Sequence, residues 1–456
     1  MTRLLLALGT RPEIIKMAPL IKALRRKRGL ELTIVHTGQH YDFEMSKIFI
    51  EELGLPDPDV NLEVGSGSHS EQTARMLRGY ERIFKRMSPD SVLAEGDTNS
   101  VVAASLSSVK NAIPFGHVES GLRCYDRTMP EEINRTVADH CAEICFAPTS
   151  RSGLNLCREG IVPEKIFITG NTIVDACLEQ VEIARKKSKI LEELSLRASD
   201  KIVLVTIHRT ENVDDPTRIS EIFKAVADLK EYRLVFPIHP RTSRRLKALG
   251  LYGKLKRLEH ITLTPPVGYS DFLTLMSRSK LVLTDSGGVQ EEALTLRVPC
   301  LTVRNNTERP ETVDVGANEI VGTEAARIVA RTRQLMSDKQ IRKNLRKISN
   351  PLGDGRSGQR IASILLELCA EGLKVEPSTY LQDGSPIYRI LRVPTKASGA
   401  SIRSLKREYP NVLITQAYNA EGSPLFPYPE TKLQANWLIQ IVGERSALEE
   451  LMSRWR

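Results

Sequence analysis

Leu4-Leu5-Leu6-Ala7-Leu8-Gly9-Thr10-Arg11-Pro12-Glu13-Ile14-Ile15-Lys16 decides the fold, because an apolar run of strand length passes through one glycine into residues with helical spacing. Met1 to Leu8 is too short to span a bilayer and has no small-residue cleavage site, so it reads as the first buried strand. Its turn carries the cations Arg11 and Lys16 at the start of a helix, where unpaired backbone amides and the positive end of the helix dipole favour an anion. The spacing is not that of a P-loop, since the second glycine and the Lys-Ser/Thr pair are missing. A phosphate site and an ordinary solvated loop both fit the turn taken alone.

The same alternation continues outward. Leu32 to His36 precedes Glu44 to Glu52, and Ser91 to Ala94 precedes Val101 to Val109. Repeated strand and helix predicts a parallel sheet covered on both faces. A second series restarts at Lys201: Ile202 to Thr206 then Pro216 to Leu229, Leu234 to Pro237 then Thr242 to Leu249, and Leu281 to Thr284 then Gln290 to Leu296. The pattern predicts an α/β protein with two Rossmann-type, doubly wound domains, residues 1–177 and 178–355. Leu178 to Asp200 supplies a helix and the linker. An apolar helix, within 356–372, follows Gly353-Asp354-Gly355. From 378 to 456 the pattern changes to strands Ile387 to Val393, Val412 to Ala417 and Trp437 to Val442 and a closing helix Ser446 to Trp455, which predicts a small α+β domain.

Composition narrows the function. Of 456 residues, 41% are hydrophobic and 27% charged, which argues against both a disordered chain and a membrane protein. The net charge of +9 is spread along the chain and aromatics are only 5%, so no nucleic-acid platform stands out and an anionic small molecule is the expected partner. Seven scattered cysteines point to free thiols and the cytoplasm. Cys141 and Cys145 could share a helix face, but no further ligand completes a metal set, and core packing is the expected role.

Several segments end strands and carry chemistry. Ala94-Glu95-Gly96-Asp97-Thr98-Asn99-Ser100 should turn Asp97 toward a ligand cleft, because open parallel sheets bind at the carboxyl ends of their strands. His117-Val118-Glu119-Ser120-Gly121 and Met129-Pro130-Glu131-Glu132 bring further carboxylates, the equipment for removing a proton on one face and returning it on the other. Individually, each carboxylate could equally be a cap or an ion-pair partner. In the second series, Thr284-Asp285-Ser286-Gly287-Gly288 repeats the glycine turn before a helix, and Glu292 could accept from ribose hydroxyls or complement the helix dipole. His208-Arg209 and His239-Pro240-Arg241 place two His/Arg pairs after strands, suited to a diphosphate. Arg309 lies in another charged loop, Asn306 to Glu311. Gly65-Ser66-Gly67-Ser68 lacks a third glycine and a preceding strand, so it reads as a flexible loop, and no dinucleotide cofactor is expected.

In this order, Gly-Thr-Arg-Pro-Glu at Gly9, Gly-Asp-Thr at Gly96, His-Val-Glu-Ser-Gly-Leu-Arg at His117, Pro-Glu-Glu-Ile-Asn-Arg at Pro130, Asp-Ser-Gly-Gly-Val-Gln-Glu-Glu at Asp285 and Thr-Glu-Arg-Pro-Glu at Thr307 resemble the non-hydrolysing UDP-N-acetylglucosamine 2-epimerases. The resemblance covers about Met1 to Gly372. It implies a GT-B-like pair of Rossmann-type domains, UDP in the cleft, a last helix returning to the first domain, and usually a homodimer. It also implies that Asp97, Glu119, Glu131 and His208 are catalytic, that Arg11, Lys16, His208 and Ser286 hold the diphosphate, that Gly287, Gly288 and Arg309 line the substrate site, and that Glu292 meets the ribose and Phe272 the uracil. The implied reaction eliminates UDP to a 2-acetamidoglucal and adds it back after protonation on the opposite face, with no cofactor and no metal. Gln39 and His239 match parts of an activating second substrate pocket found in many bacterial members, but Asp42 and Glu71 stand where a glutamine and an arginine are common, which counts against such activation.

The tail, through Ser401 to Leu405, Pro427 to Pro429 and Trp437 to Gly443, resembles the ligand-binding domain of potassium-uptake regulators called RCK-C or TrkA-C, with Ala435-Asn436 in place of the usual Gly-Asp. That implies a regulatory ligand or a dimerising role; a stabilising appendage is the plain alternative. Competing functions are the same epimerisation on a UDP-diacetamido-glucuronate, a GT-B glycosyltransferase, and a nucleotide-sugar sensor. The added carboxylate of the first needs a further cation, and the second leaves the Asp97, Glu119 and Glu131 group without a task.

Overall fold

The computed structural model describes residues 1–38, 43–338, 340–375 and 386–455. The chain forms two compact units, Met1–Asp175 together with Gly353–Arg456, and Ala176–Leu352.

The first unit is built on a parallel seven-stranded sheet. Its strands are β1 (Thr2–Leu8), β2 (Leu30–His36), β3 (Val60–Asn61), β4 (Ser91–Glu95), β5 (Phe115–Val118), β6 (Ile144–Ala147) and β7 (Ile166–Ile168), in the order β3-β2-β1-β4-β5-β6-β7. Leu4 to Leu8 and Ser91 to Glu95 are buried without alternation, as strands covered on both faces must be. One face, with Leu5, Ala7, Val92 and Ala94, packs on Tyr80, Ile83, Phe84, Val101 and Ala104 of two helices, His69–Met87 and Asn99–Lys110. The chain winds outward from β1 to β3 and then from β4 to β7, so the strand order reverses between β1 and β4. Crevices open where such a reversal occurs, beyond the carboxyl ends of the strands.

The second unit repeats the plan with β8 (Ile202–Thr206), β9 (Arg233–Pro237), β10 (Ile261–Thr264), β11 (Leu281–Thr284), β12 (Cys300–Thr302) and β13 (Asn318–Ile320), in the order β10-β9-β8-β11-β12-β13. Here the reversal lies between β8 and β11. The expected pair of Rossmann-type domains is therefore present, with short strands such as β6, β7, β12 and β13 that no periodic pattern announces.

The tail is an antiparallel sheet of β14 (Ile387–Arg392), β15 (Val412–Tyr418), β16 (Pro424–Leu425) and β17 (Leu438–Gly443), ordered β14-β17-β15-β16, with helices Ile402–Glu408 and Arg445–Trp455. It does not stand apart from the first unit. Leu413 and Val442 are buried in the same cluster as Leu156, Ile166 and Ile168, and the Lys406 ammonium donates to the carbonyls of Pro163 and Ile166 above the Phe167 ring. The helix Ser357–Ala370 packs on the helix Arg11–Arg25 within the first unit, where Gly358 lies against Pro19 and Leu20 and its amide donates to Asp175 at 2.9 Å.

Two local expectations are corrected. Gly65 to Ser68 is not simply a flexible loop, because Ser68 caps the helix His69–Met87 in a capping box with Glu71. Cys141 and Cys145 do not share a helix face: Cys141 ends the helix Pro130–Cys141 and Cys145 is buried in β6. All seven cysteines are thiols rather than disulfides. Among the described residues no helix is long and apolar enough to cross a membrane.

Candidate active site

In the first unit, the loops after β1 and β4 lie at the reversal point. Thr10 caps the helix Arg11–Arg25 and Glu13 completes the box, its carboxylate accepting from the amides of Gly9 and Thr10 and from the Thr98 hydroxyl. One buried side chain thus ties the turn expected to meet an anion to the loop that carries Asp97. Burial pushes the Glu13 carboxyl up to about 7, against three donors that pull it down and with Asp97 adding to the rise.

Gly96 takes φ 90, a conformation that costs a glycine little, and so turns the chain for Asp97. The Asp97 carboxylate pairs with the buried guanidinium of Arg135, and its carbonyl accepts from Asn134 at 2.9 Å. Glu119 follows the last residue of β5 with φ 69, unusual for a residue with a Cβ and of the kind that concentrates at functional sites. Its carboxylate meets Lys16 at 2.5 Å and Asn171 at 2.9 Å. Lys16 also lies 3.0 Å from Glu95, the last residue of β4. Arg11, half-buried, stacks its guanidinium 4.2 Å from the centroid of Phe49.

The Pro130–Cys141 helix separates two adjacent carboxylates. Glu132 is buried and accepts from Arg135 at 3.0 Å and from the amides of Cys124 and Tyr125 at 3.2 and 2.8 Å, so it fixes the preceding loop. Glu131 is only half-buried. Behind them, His117 bridges Asp139 at 2.6 Å and the Gly96 carbonyl at 2.8 Å. Burial favours a neutral Asp139, but the charge of Arg123 and the contact with His117 outweigh it and hold that carboxyl below its ordinary range.

The second unit presents a different surface. Asp285, fully buried after β11, accepts from the amides of His208 at 3.0 Å and Arg209 at 2.9 Å and from the Asn212 side chain at 3.1 Å, which shapes the turn after β8. His208 keeps 39% of its side chain exposed and its ring sits 5.8 Å from that of His239. His239 caps the helix Pro240–Ala248, accepting from the Arg241 amide. Ser286 stands at the N-cap position of the helix Gly287–Thr295 without a side-chain capping bond, and the helix starts as backbone with no side chain on Gly287 or Gly288. A Cβ on Gly287 would come within 2.6 Å of Glu308. Hydroxyl and amide groups at such a helix start suit phosphate.

The remaining candidates lie deeper. Arg309 is buried, 2.9 Å from Glu291 and 3.3 Å from Glu308, so much of its charge is engaged inside the unit. Phe272 packs in a cluster with Leu204, Val235 and Val282, and Glu292 is buried on the helix Gly287–Thr295. Gln39 and Asp42 lie outside the described residues. Glu71 is engaged as the box partner of Ser68.

Sequence reasoning missed Glu13, Glu95, Arg135, Asn171 and Asp285. A carboxylate closing an otherwise apolar strand, as Glu95 does, is the one signal that could have exposed its role.

A model of the family described as UDP-N-acetylglucosamine 2-epimerase matches residues 22–366. The chain belongs to the UDP-N-acetylglucosamine 2-epimerase family. The match to this epimerase stops before the tail. A UDP-N-acetylglucosamine 2-epimerase from Methanocaldococcus jannaschii is 47% identical over 367 residues, covering 80% of this chain and 98% of that protein. A crystal structure of the Methanocaldococcus jannaschii UDP-GlcNAc 2-epimerase in complex with UDP-GlcNAc and UDP aligns with a TM-score of 0.75 at 46% identity, over 80% of this chain and all of that one. A UDP-2,3-diacetamido-2,3-dideoxy-D-glucuronate 2-epimerase from Pseudomonas aeruginosa is 38% identical over 370 residues, 80% of this chain and 100% of that protein.

Proposed function

We propose that this epimerase interconverts UDP-N-acetylglucosamine and UDP-N-acetylmannosamine by inverting C2. The observation that carries the reading is the meeting, at the reversal point of the first sheet, of a cation-bearing helix start with the carboxylates Asp97 and Glu119 on neighbouring strand ends.

In the reaction, a carboxylate takes the C2 proton as the anomeric C–O bond breaks and its electron pair leaves with UDP. A 2-acetamidoglucal remains. An acid on the opposite face then protonates C2, and a UDP oxygen adds back to C1, so no redox step occurs. Asp97 and Glu131 are assigned the two proton transfers and Glu119 a supporting charge. Arg11, Lys16, His208, Ser286 and the amides at Gly287 and Gly288 are assigned to UDP, whose growing charge on departure is what fixed cations and helix starts stabilise best. Arg309 and Phe272, being buried, shape the substrate site from behind.

Incubation with UDP-N-acetylglucosamine in deuterated water tests the reading: the manno epimer should form with deuterium at C2. Free N-acetylmannosamine, or no exchange, overturns it. The diacetamido-glucuronate nucleotide, offered in parallel, should turn over more slowly.

For the tail, an RCK-C-like accessory module with a small regulatory ligand is the proposed role, supported by its antiparallel sheet with one helix between β14 and β15 and a second after β17. A homodimer in the cytoplasm is proposed with it, the thiol state of the cysteines fitting that compartment. Light scattering tests the dimer.

A further inference from the structure

His117 and Asp139 are both fully buried, and each is tied to a turn that carries an assigned carboxylate. β5 lies beside β4 with His117 opposite Ala94, so the imidazole reaches the turn that follows β4. Its Nε2 is 2.8 Å from the Gly96 carbonyl. A carbonyl only accepts, so Nε2 carries a hydrogen. Nδ1 faces the Asp139 carboxylate at 2.6 Å, and the ring stacks on Phe115 with centroids 6.1 Å apart, which together fix its orientation. Asp139 is held in turn by Arg123 at 2.7 Å and by the Gly121 amide at 3.1 Å. One carboxylate therefore anchors the turn before Asp97 through His117 and the turn after Glu119 through Gly121.

We propose that His117 is a positioning residue of the epimerisation, donating from Nε2 to the Gly96 carbonyl so that the Gly96–Asp97 peptide presents Asp97 in one direction. The proposal rests on the epimerase reading above, in which Asp97 transfers a proton. Gly96 has φ 90 and nothing within 4 Å of the place a Cβ would take, so it makes the turn possible without choosing the direction of the peptide that follows. The Gly96 amide donates to the Val118 carbonyl at 3.1 Å, which fixes only the incoming side of the turn. Asn134 and Arg135 hold the Asp97 carbonyl and carboxylate beyond it. His117 holds the peptide between them, and a reacting group misplaced by about 1 Å loses on the order of 10²-fold in rate.

The test compares two amides in the full-length protein. In His117→Gln the amide nitrogen takes the place of Nε2 and still donates to Gly96, whereas in His117→Asn it reaches only the place of Nδ1, keeping Asp139 and losing Gly96. His117→Asn should lose about tenfold to a hundredfold in kcat on UDP-N-acetylglucosamine, with KM and the affinity for UDP within about threefold of wild type, while His117→Gln keeps roughly a third or more of kcat. Crystal structures should show the Gly96 carbonyl turned in His117→Asn and unmoved in His117→Gln. A role confined to holding the fold would lower the thermal midpoint of both variants without separating their kcat values. A folded His117→Asn with kcat within about twofold of wild type overturns the proposal, as does a His117→Gln that loses as much kcat as His117→Asn. If His117→Asn does not fold, His117→Gln decides, and a loss of about tenfold in its kcat overturns the proposal. If neither variant folds, the role is structural and the proposal fails. If the wild type turns over no UDP-N-acetylglucosamine, the activity reading fails, while a Gly96 carbonyl unmoved in both variants still overturns the role given to His117.

Discussion

The Arg360 guanidinium lies 3.7 Å from the centroid of the Tyr428 ring. It also pairs with Asp354 at 2.7 Å and with Glu430, and reaches the Thr169 carbonyl at 3.3 Å. One side chain on the helix Ser357–Ala370 therefore joins the tail to the Gly353 to Gly355 bend and to the end of β7. Arg403 and Arg407 extend the seam by pairing with Glu367 from the tail side.

Tyr428→Ala should lower stability by about 1–3 kcal/mol through lost stacking and packing, read as a drop in the thermal midpoint. Deleting the tail after Gly372 uncovers Leu156, Ile166 and Ile168, so the truncated protein should melt earlier and associate more readily. Its turnover per folded molecule should be retained, since the assigned proton-transfer residues all precede Gly372. A truncation that melts like the full chain would refute the shared core.

Asp97→Asn and Glu131→Gln should each cut deuterium exchange at C2 by about 10²–10⁴-fold, the usual worth of a positioned acid or base. Circular dichroism should stay unchanged. Glu132→Gln, in contrast, should act on stability and loop order, because its carboxylate holds Arg135 and two amides.

Asp285→Ala removes the acceptor for two amides and an asparagine in the second unit. The expected result is a loss of about 2–4 kcal/mol in stability and a UDP affinity weakened about tenfold or more, because buried donors are left unsatisfied and the turn carrying His208 loosens. Calorimetry with UDP checks it.

Glu13 gives a pH signature. Its folded carboxyl is raised to about 7 from 4.5, so between those values the folded state holds more protons than the unfolded chain. Stability should therefore fall as pH rises from about 4.5 to about 7, by up to about 3 kcal/mol at roughly 1.4 kcal/mol per pH unit. Glu13→Gln should flatten that decline in denaturant titrations at pH 5 and pH 7.5. A wild type equally stable at both values would contradict the assignment.

The amino-acid order by itself determined the two parallel sheets, because strand-length apolar runs such as Ile202 to Thr206 and Leu281 to Thr284 followed by helical spacing have few other ways to bury their surface. It also carried the ordered motifs that mark the family, and the local positions of Asp97, Glu119 and His208 at strand ends. Tertiary structure alone decided which charges face one another. Glu95 and Glu119 are 24 positions apart yet share Lys16, Arg135 answers Asp97 rather than solvent, and the tail's Leu413 and Val442 belong to the first unit's core. Periodicity reports which side of an element avoids water. It says nothing of which partner waits there, and in a low-dielectric interior that partner sets both the charge a carboxyl carries and the work it can do.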